Sequence, residues 1–390
     1  MKVMLIAGKY PPQQCGIGDH TYKLANRLTT FGHRVSVLCS VLDERRAEAN
    51  SNHDDVEAIR EVSSWDFRSV KHILKVVQDK AVEVLHVQYQ ATSFDQHPMM
   101  TLLPFLVKVR SLGRKTKVKI VVTMHEFAGP SKPRLPRLAR RLWLLPLFLF
   151  SNAILVTNER DMFYLLKVPF LRNKVRLIPL GPNIEAQEKS QVDISMVRKR
   201  LGLDDEDILL VRFGFVDNVR VRQLDILLYA LKCVCERGHR VKMLFVGGDD
   251  RESRAEMVGL AKSLGLDGRL LWTGFCPPEE VSNYLGCADI GVFPFADGAS
   301  ERRTSLLTAM TFGLPIVSTR KKFASVFVHR ENILLVPPAD PVALADAVEE
   351  LISKKDLREH LSANARGSSK QFGWEKIGHA TEALYGGLAS

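Results

Sequence analysis

Cysteine is scarce. The 390-residue chain carries six, Cys15, Cys39, Cys233, Cys235, Cys276 and Cys287, with no Cys-x-x-Cys spacing. Several lie in apolar segments, where a free thiol behaves as a small hydrophobe. This argues against a disulfide framework or a zinc site and for a reducing compartment. Long apolar runs are also missing. The longest, Leu142–Val156, is broken by Pro146, Ser151 and Asn152, short of the ~20 residues that span a bilayer. Met1–Ala7 runs into a strand without a small-residue cleavage site, so no signal peptide is read. Gly16-Ile17-Gly18 lacks the third glycine of a dinucleotide fingerprint. Asp249-Asp250 lacks a third metal ligand and reads as a polar loop. No nucleic-acid reader motif and no short-period repeat is present.

What is present is an ordinary globular composition, 46% hydrophobic and 25% charged, at a length that suits two domains. The formal charge is +11, and part of the excess is clustered in Lys132–Arg141 and at Arg302/Arg303. A basic excess favours anionic partners, unless it is only solvated surface.

Strand-type runs alternate with helical spacing along the chain. Val3–Ala7, the helix Thr21–Phe31 ending at Gly32, and Arg34–Cys39 form a βαβ unit. Val84–Tyr89, Lys119–Met124, Ala153–Thr157 and Arg176–Pro179 continue as strands, with helices at Met99–Val109 and Arg137–Phe150. Asp43–Glu61 reads as a polar surface excursion. The rhythm restarts with strands Ile208–Phe215, Lys242–Val246, Leu270–Thr273, Ile290–Phe293 and Ile316–Ser318, and helices Leu224–Glu236, Glu279–Leu285 and Ser305–Phe312. The expected organisation is a first α/β domain over 1–185, a second over 186–370 and a closing helix over 371–390.

Four constellations sit where open α/β sheets bind ligands, at strand carboxyl ends. Gly16 and Gly18 allow close backbone approach, and helix-start amides favour phosphate; a plain turn is the alternative. His125, in Thr123-Met124-His125-Glu126, ends a strand and suits a sugar hydroxyl or developing charge, or else bonds a loop carbonyl. Asp297-Gly-Ala-Ser300-Glu301-Arg302-Arg303-Thr304-Ser305 leads from a strand into a helix. Cations at a helix start oppose its dipole, and a bound diphosphate relieves that conflict. Gly214 opens the fourth loop, in which Arg220 or Arg222 reaches the same phosphate or is simply exposed. Lys132–Trp143 is basic and then apolar, a pattern that can lie on an anionic membrane or form an ordinary half-buried helix.

These motifs resemble the retaining GT-B glycosyltransferases of family 4 over nearly the whole length. The resemblance rests on Tyr10-Pro-Pro…Gly16-Ile-Gly18-Asp19, Thr123-Met-His125-Glu126, Val156-Thr-Asn158-Glu159, Phe213-Gly214-Phe215, Gly274-Phe275, Ala288-Asp289, Ala309–Thr319, Val336–Asp340 and the closing Phe372-Gly-Trp374 helix. It implies two Rossmann-like domains with parallel sheets facing across a cleft. It implies a nucleotide-diphosphate sugar held mainly by the second domain, an acceptor held by the first, transfer with retention, and no cofactor or obligatory metal. It further implies donor-sugar contact by His125, phosphate contact by the glycine loop, and a role for Asp19, Glu126 and Glu159 on the acceptor side. Two departures stand out. The family's two glutamates, eight apart, would fall at Ser300 and Thr308; the nearest acids are Asp297 and Glu301. Asp217 stands where an arginine is expected, and Arg222 matches the usual lysine only with two residues inserted. A variant branch carries Asp-Gly-x-Ser-x-Arg-Arg-x-Ser, which Asp297–Ser305 matches, so Arg302 and Arg303 take the place of the missing cations.

The expected function is glycosyl transfer to a glycan, lipid-linked or small-molecule acceptor, in the cytoplasm or at the inner face of the membrane. His125 and Asp297 would position the donor sugar, and Gly16, Gly18, Gly214, Arg220, Arg222, Ser300–Ser305 and Thr308 would hold the donor. A nucleotide- or glycan-binding protein without strong turnover and a sugar-nucleotide epimerase are the alternatives; nucleic acid is not an expected partner.

Overall fold

The computed structural model describes residues 1–13, 15–42, 56–112, 117–126, 142–186, 191–216, 218–321 and 326–389, without the side chains of 191–193, 218–223 and 389. They form two compact units, Met1–Gly181 with Trp374–Ser390, and Pro182–Gly373. The first runs β1 (Lys2–Ile6), α1 (Gly16–Thr30), β2 (Arg34–Ser40), β3 (Glu57–Val62), α2 (Val70–Asp79), β4 (Val84–Tyr89), α3 (Met99–Arg110), β5 (Lys119–Met124), α4 (Leu145–Phe150), β6 (Ala153–Val156), α5 (Glu159–Leu166) and β7 (Val175–Leu177). The second runs α6 (Gln191–Arg200), β8 (Ile208–Phe213), α7 (Asn218–Glu236), β9 (Val241–Val246), α8 (Arg251–Ser263), β10 (Leu270–Trp272), α9 (Pro278–Gly286), β11 (Ile290–Phe293), α10 (Thr304–Thr311), β12 (Ile316–Thr319), β13 (Leu334–Val336), α11 (Pro341–Ser353) and α12 (Lys355–Ser369). The last helix, α13 (Trp374–Ala389), belongs to the first unit.

Each unit holds one parallel sheet, ordered β3-β2-β1-β4-β5-β6-β7 in the first and β10-β9-β8-β11-β12-β13 in the second. The strands are near-continuous apolar runs because helices cover both faces. In β1, Met4 and Ile6 face one core with Ile73, Leu103 and Leu147, while Val3 and Leu5 face the other with Leu24, Leu28 and Tyr385. Burying each such side chain contributes about 1.5–3 kcal/mol. Strand order reverses between β1 and β4, and again between β8 and β11. Such switch points, at the strand carboxyl ends, are where open α/β sheets take ligands.

Several boundaries differ from the sequence expectation. Glu57–Val62 is not part of a surface excursion but the edge strand β3, pairing with β2 through Ser36–Ser40. It looked polar because an edge strand keeps alternate residues in solvent. Helix α1 begins at Gly16 rather than Thr21, so Gly16 and Gly18 lie in its first turn and not in a loop before it; glycine's poor helix propensity hid this. β8 stops at Phe213 because Gly214 has φ +129°. Of the helix expected over 137–150, residues 137–141 lie outside the described residues and α4 covers only Leu145–Phe150. No helix among the described residues is long and apolar enough to cross a membrane.

Candidate active site

In the first unit the switch point is closed by backbone. A Cβ on Gly8, after β1, would fall 1.9 Å from the carbonyl oxygen of Ser93, after β4. Gly18 is buried, and a Cβ there would sit 2.9 Å from the Lys9 carbonyl oxygen. Gly16 is exposed with nothing within 4 Å of its Cβ position. The two glycines therefore differ: packing requires Gly18, whereas Gly16 leaves open space over the helix start. Asp19 follows in the same turn, its carboxyl pushed up to about 6 by burial, against which Lys23 pulls.

His125 directly follows β5 and is buried. Its backbone N–H donates to the Tyr89 carbonyl at 3.0 Å, and its Nε2 lies 2.8 Å from Gln88 Oε1. The His20 ring meets it edge-on, centroids 5.1 Å apart. Burial lowers His20 to about 4, which keeps it neutral. Glu126, beside His125, is half-buried; burial first, and then the Glu126 charge, raise the Tyr89 phenol. Glu159 is exposed on the first turn of α5, where an acid complements the dipole, and Asn158 caps that helix by accepting from the Asp161 N–H at 3.0 Å.

In the second unit the two sides of the switch point are Gly214, after β8, and Asp297–Ser305, after β11. They meet: a Cβ on Gly214 would lie 3.7 Å from the Ser305 Cβ. Gly247, φ +120°, brings its Cβ position within 3.0 Å of the Gly214 carbonyl oxygen and bridges to Gly274. Three strand ends in a row thus present bare backbone beside the first turn of α10. Arg212, buried on β8 and not anticipated from the sequence, donates through Nη1 to the carbonyls of Gly214 (2.8 Å) and Phe215 (3.2 Å) and pins this loop. An arginine inside the otherwise apolar run Ile208–Phe213 was the available signal.

The polar turn is rigid at its middle. Gly298 has φ +84°, and a Cβ there would meet the Arg320 carbonyl oxygen at 2.7 Å, so only glycine fits. Arg303 is the N-cap of α10 and offers no side-chain oxygen to the helix amides. Its guanidinium pairs with the Asp297 carboxylate and lies 4.6 Å over the Phe295 ring. The conflict between cation and dipole is thus eased internally, and Asp297 is engaged with Arg303. Arg302 is exposed beside it. Glu301 is buried, 3.7 Å from Lys321 and accepting from the Val326 N–H at 3.4 Å, and Ser300 is buried with its hydroxyl 3.4 Å from the Arg302 N–H. Thr304 and Ser305 are half-buried in the first turn, where the Leu306 and Leu307 N–H groups donate to the Arg303 carbonyl at 2.9 and 3.1 Å and those of Thr304 and Ser305 have no intrahelical acceptor. Thr308 is fully buried and its hydroxyl accepts from the Asn183 N–H at 3.2 Å. The side chains of Arg220 and Arg222, Asp217, and the basic segment 132–141 lie outside the described residues.

Two family models match the chain, one on each unit. Glycosyltransferase Family 4 covers residues 15–186, and Glycosyl transferases group 1 covers 209–354. An uncharacterized glycosyltransferase of Methanocaldococcus jannaschii is 22% identical over 99% of this chain and 98% of its own length. A D-inositol 3-phosphate glycosyltransferase of Xylanimonas cellulosilytica is 28% identical over 48% of this chain and 44% of its own. Among solved structures, sucrose-phosphate synthase from Thermosynechococcus elongatus superposes with a TM-score of 0.74 at 19% identity, covering 100% of both chains. Anabaena HepE in complex with UDP and glucose gives 0.75 at 15% identity, over 99% of this chain and 100% of its own. Two Rossmann-like units, matched one by one to those models, place the chain in the family 4, group 1 glycosyltransferases of GT-B fold.

Proposed function

We propose that the chain transfers a sugar, with retention of configuration, from a nucleotide-diphosphate donor held by the second unit to an acceptor held by the first. The observation that carries the donor assignment is the meeting of Gly214, Gly247 and Ser305 at the β8/β11 switch point. Bare backbone and the unbonded amides of a helix start are suited to a diphosphate, with Arg302 and Arg303 as cations. Such donors act on charge that builds on the leaving diphosphate. His125 takes a donor-sugar hydroxyl, and Gly16 and Asp19 flank the acceptor. No metal is required by this scheme.

Thermal unfolding with UDP, GDP, ADP and dTDP and their sugar conjugates tests the donor. A ligand that binds only the folded chain adds about 2.7 kcal/mol at a hundredfold excess over its Kd. A shift with one nucleotide family, lost in the Arg302→Ala/Arg303→Ala double variant, supports the reading; no shift at millimolar ligand overturns it. Ser300 and the buried Thr308, neither of them an acid, favour a second reading, a nucleotide-binding protein with weak turnover. Sugar release or transfer at rates above the buffer blank decides against it.

We also propose an anionic membrane surface as a partner of the first unit. Phe105 and Val109 on α3 and Leu112 just after it are exposed, and Phe105 meets Phe150 on α4, which also exposes Leu149. Lys108 and Lys174 lie close enough that Lys108 lowers Lys174, while Lys119 lowers Lys108, in both cases after burial. Like charges held together on a unit with such exposed apolar side chains gain from an acidic surface. Phosphatidylglycerol vesicles should retain the protein in a salt-sensitive way, and neutral vesicles should not.

A further inference from the structure

Polar residues alternate on one face of two adjacent, fully covered strands. In β4 they are His86 and Gln88; in β5 and just beyond it, Thr123 and His125. The parallel register sets Gln88 against Thr123 and His86 against Val121. With a period of two, all four side chains share the face covered by α1 and α13. His86, Gln88, Thr123 and Tyr385 are all buried.

They connect end to end. Tyr385 Oη, on α13, lies 2.6 Å from His86 Nδ1. His86 Nε2 lies 2.7 Å from Thr123 Oγ1 and 3.4 Å from Gln88 Nε2. Gln88 Oε1 lies 2.8 Å from His125 Nε2. With the Gln88 amide oxygen toward His125, as the structure places it, one arrangement of protons satisfies every link. The Gln88 carbonyl can only accept, so His125 carries its proton on Nε2. The Gln88 amide nitrogen and the Thr123 hydroxyl donate to His86 Nε2, which must be a lone pair. His86 is then protonated on Nδ1 and donates to the tyrosine oxygen. Burial, with His20 adding to it, lowers His86 to about 3, consistent with a neutral ring that has one donor and one acceptor.

We propose that Tyr385, His86 and Gln88 are positioning residues that hold His125 as the neutral Nε2–H tautomer in a fixed orientation. The closing helix of the chain thereby sets the hydrogen-bonding character of a strand-end histidine to which it is linked through two intermediate side chains. The functional consequence rests on the reading of His125 as a donor-sugar contact. Replacing Tyr385 with Phe strands the His86 Nδ1–H in the core. Reversing the chain relieves this: His86 takes its proton on Nε2, the Gln88 amide turns over, and His125 shifts to Nδ1–H.

The test is ring-nitrogen NMR on the full chain labelled with 15N-histidine, with His125 and His86 signals identified by His125→Gln and His86→Gln. Wild type should show neutral Nε2–H for His125. Tyr385→Phe, which touches neither Gln88 nor His125, should move both His86 and His125 signals toward the opposite tautomers. Gln88→Met should mix the His125 tautomers, and Gln88→Glu, which restores an acceptor, should return Nε2–H. An Nδ1–H His125 in wild type overturns the proposal, as do His125 signals that stay in place in folded Tyr385→Phe and Gln88→Met. Turnover with UDP-glucose separates the two layers. A rise of about tenfold in donor KM with kcat little changed, the loss of one hydrogen bond, supports both. A tautomer change without any kinetic effect keeps the positioning chain and removes the sugar-contact reading of His125.

Discussion

The glycines and titrating groups make opposite demands on the same turns. Gly16 has open space and an ordinary helical backbone, so Gly16→Ala should cost no stability and add about 0.5 kcal/mol through helix propensity. If the helix start receives substrate backbone-close, the same variant should bind it several-fold more weakly. Gly298→Ala is the contrast: positive φ and the Arg320 carbonyl should make it destabilising by roughly 1–3 kcal/mol in urea unfolding. Asp19 gives a pH signature. Its folded carboxyl titrates near 6 rather than 3.8, so between those values the folded chain binds the proton more tightly than the unfolded chain. Stability from this group therefore falls as pH rises through that window. Asp19→Asn should match wild type at pH 4 and exceed it by up to roughly 3 kcal/mol at pH 7.5. His20 and His86 have the opposite sign. Held neutral by burial at about 4 and about 3, they contribute fully above pH 6.5 and their contribution is lost as pH falls through those values.

At the scale of elements, legibility followed burial. Strands covered on both faces, such as β4, β5, β9 and β11, are apolar runs that anyone can read from the chain. Edge strand β3 is hidden in the sequence because half-exposed pairing leaves no such run, whereas the short β13 lies within the buried apolar run Ile333–Val336 and is obscured only by its length of three residues. The parallel α/β class follows from the rhythm alone. The details of the site do not. Asp297, Arg302 and Arg303 are adjacent in sequence, but only coordinates reveal that Arg303 is held by Asp297 and Phe295, or that Glu301 turns inward toward Lys321. Arg303→Ala should therefore loosen the Asp297 loop as well as remove a cation. Asp297→Asn should keep the cation but release it, and the two variants should weaken nucleotide binding to different extents, Arg303→Ala more. The α3 surface makes its own prediction. Reversing Lys108 and Lys174 to Glu should lower binding to phosphatidylglycerol vesicles at least tenfold, since each basic residue near such a surface contributes about 1 kcal/mol, while leaving nucleotide binding unchanged.

Across the whole molecule, the first unit is discontinuous and the second is not. Trp374 and Ile377 complete the core around Val3, Leu5 and Leu24, and Gly181 packs so tightly on the Trp374 indole that a Cβ would fall 2.6 Å from it. Removing residues 374–390 should therefore unfold the first unit, which loses one covering of its sheet. The second unit carries its own closed core, in which Leu210, Met243, Ile290 and Val317 pack with Leu228, Leu344 and Leu361, and its span 182–373 is uninterrupted. If the donor is held at the β8/β11 switch point, that span expressed alone should fold cooperatively and bind the same nucleotide sugar as the full chain, with affinity reduced by no more than about tenfold, the loss of one hydrogen bond to the sugar. Calorimetry on the isolated span and the full chain measures both. A folded span with no nucleotide affinity, beside a full chain that binds, would mean that the first unit supplies the phosphate contacts, and Gly16 at the open start of α1 would then be the place to look for them.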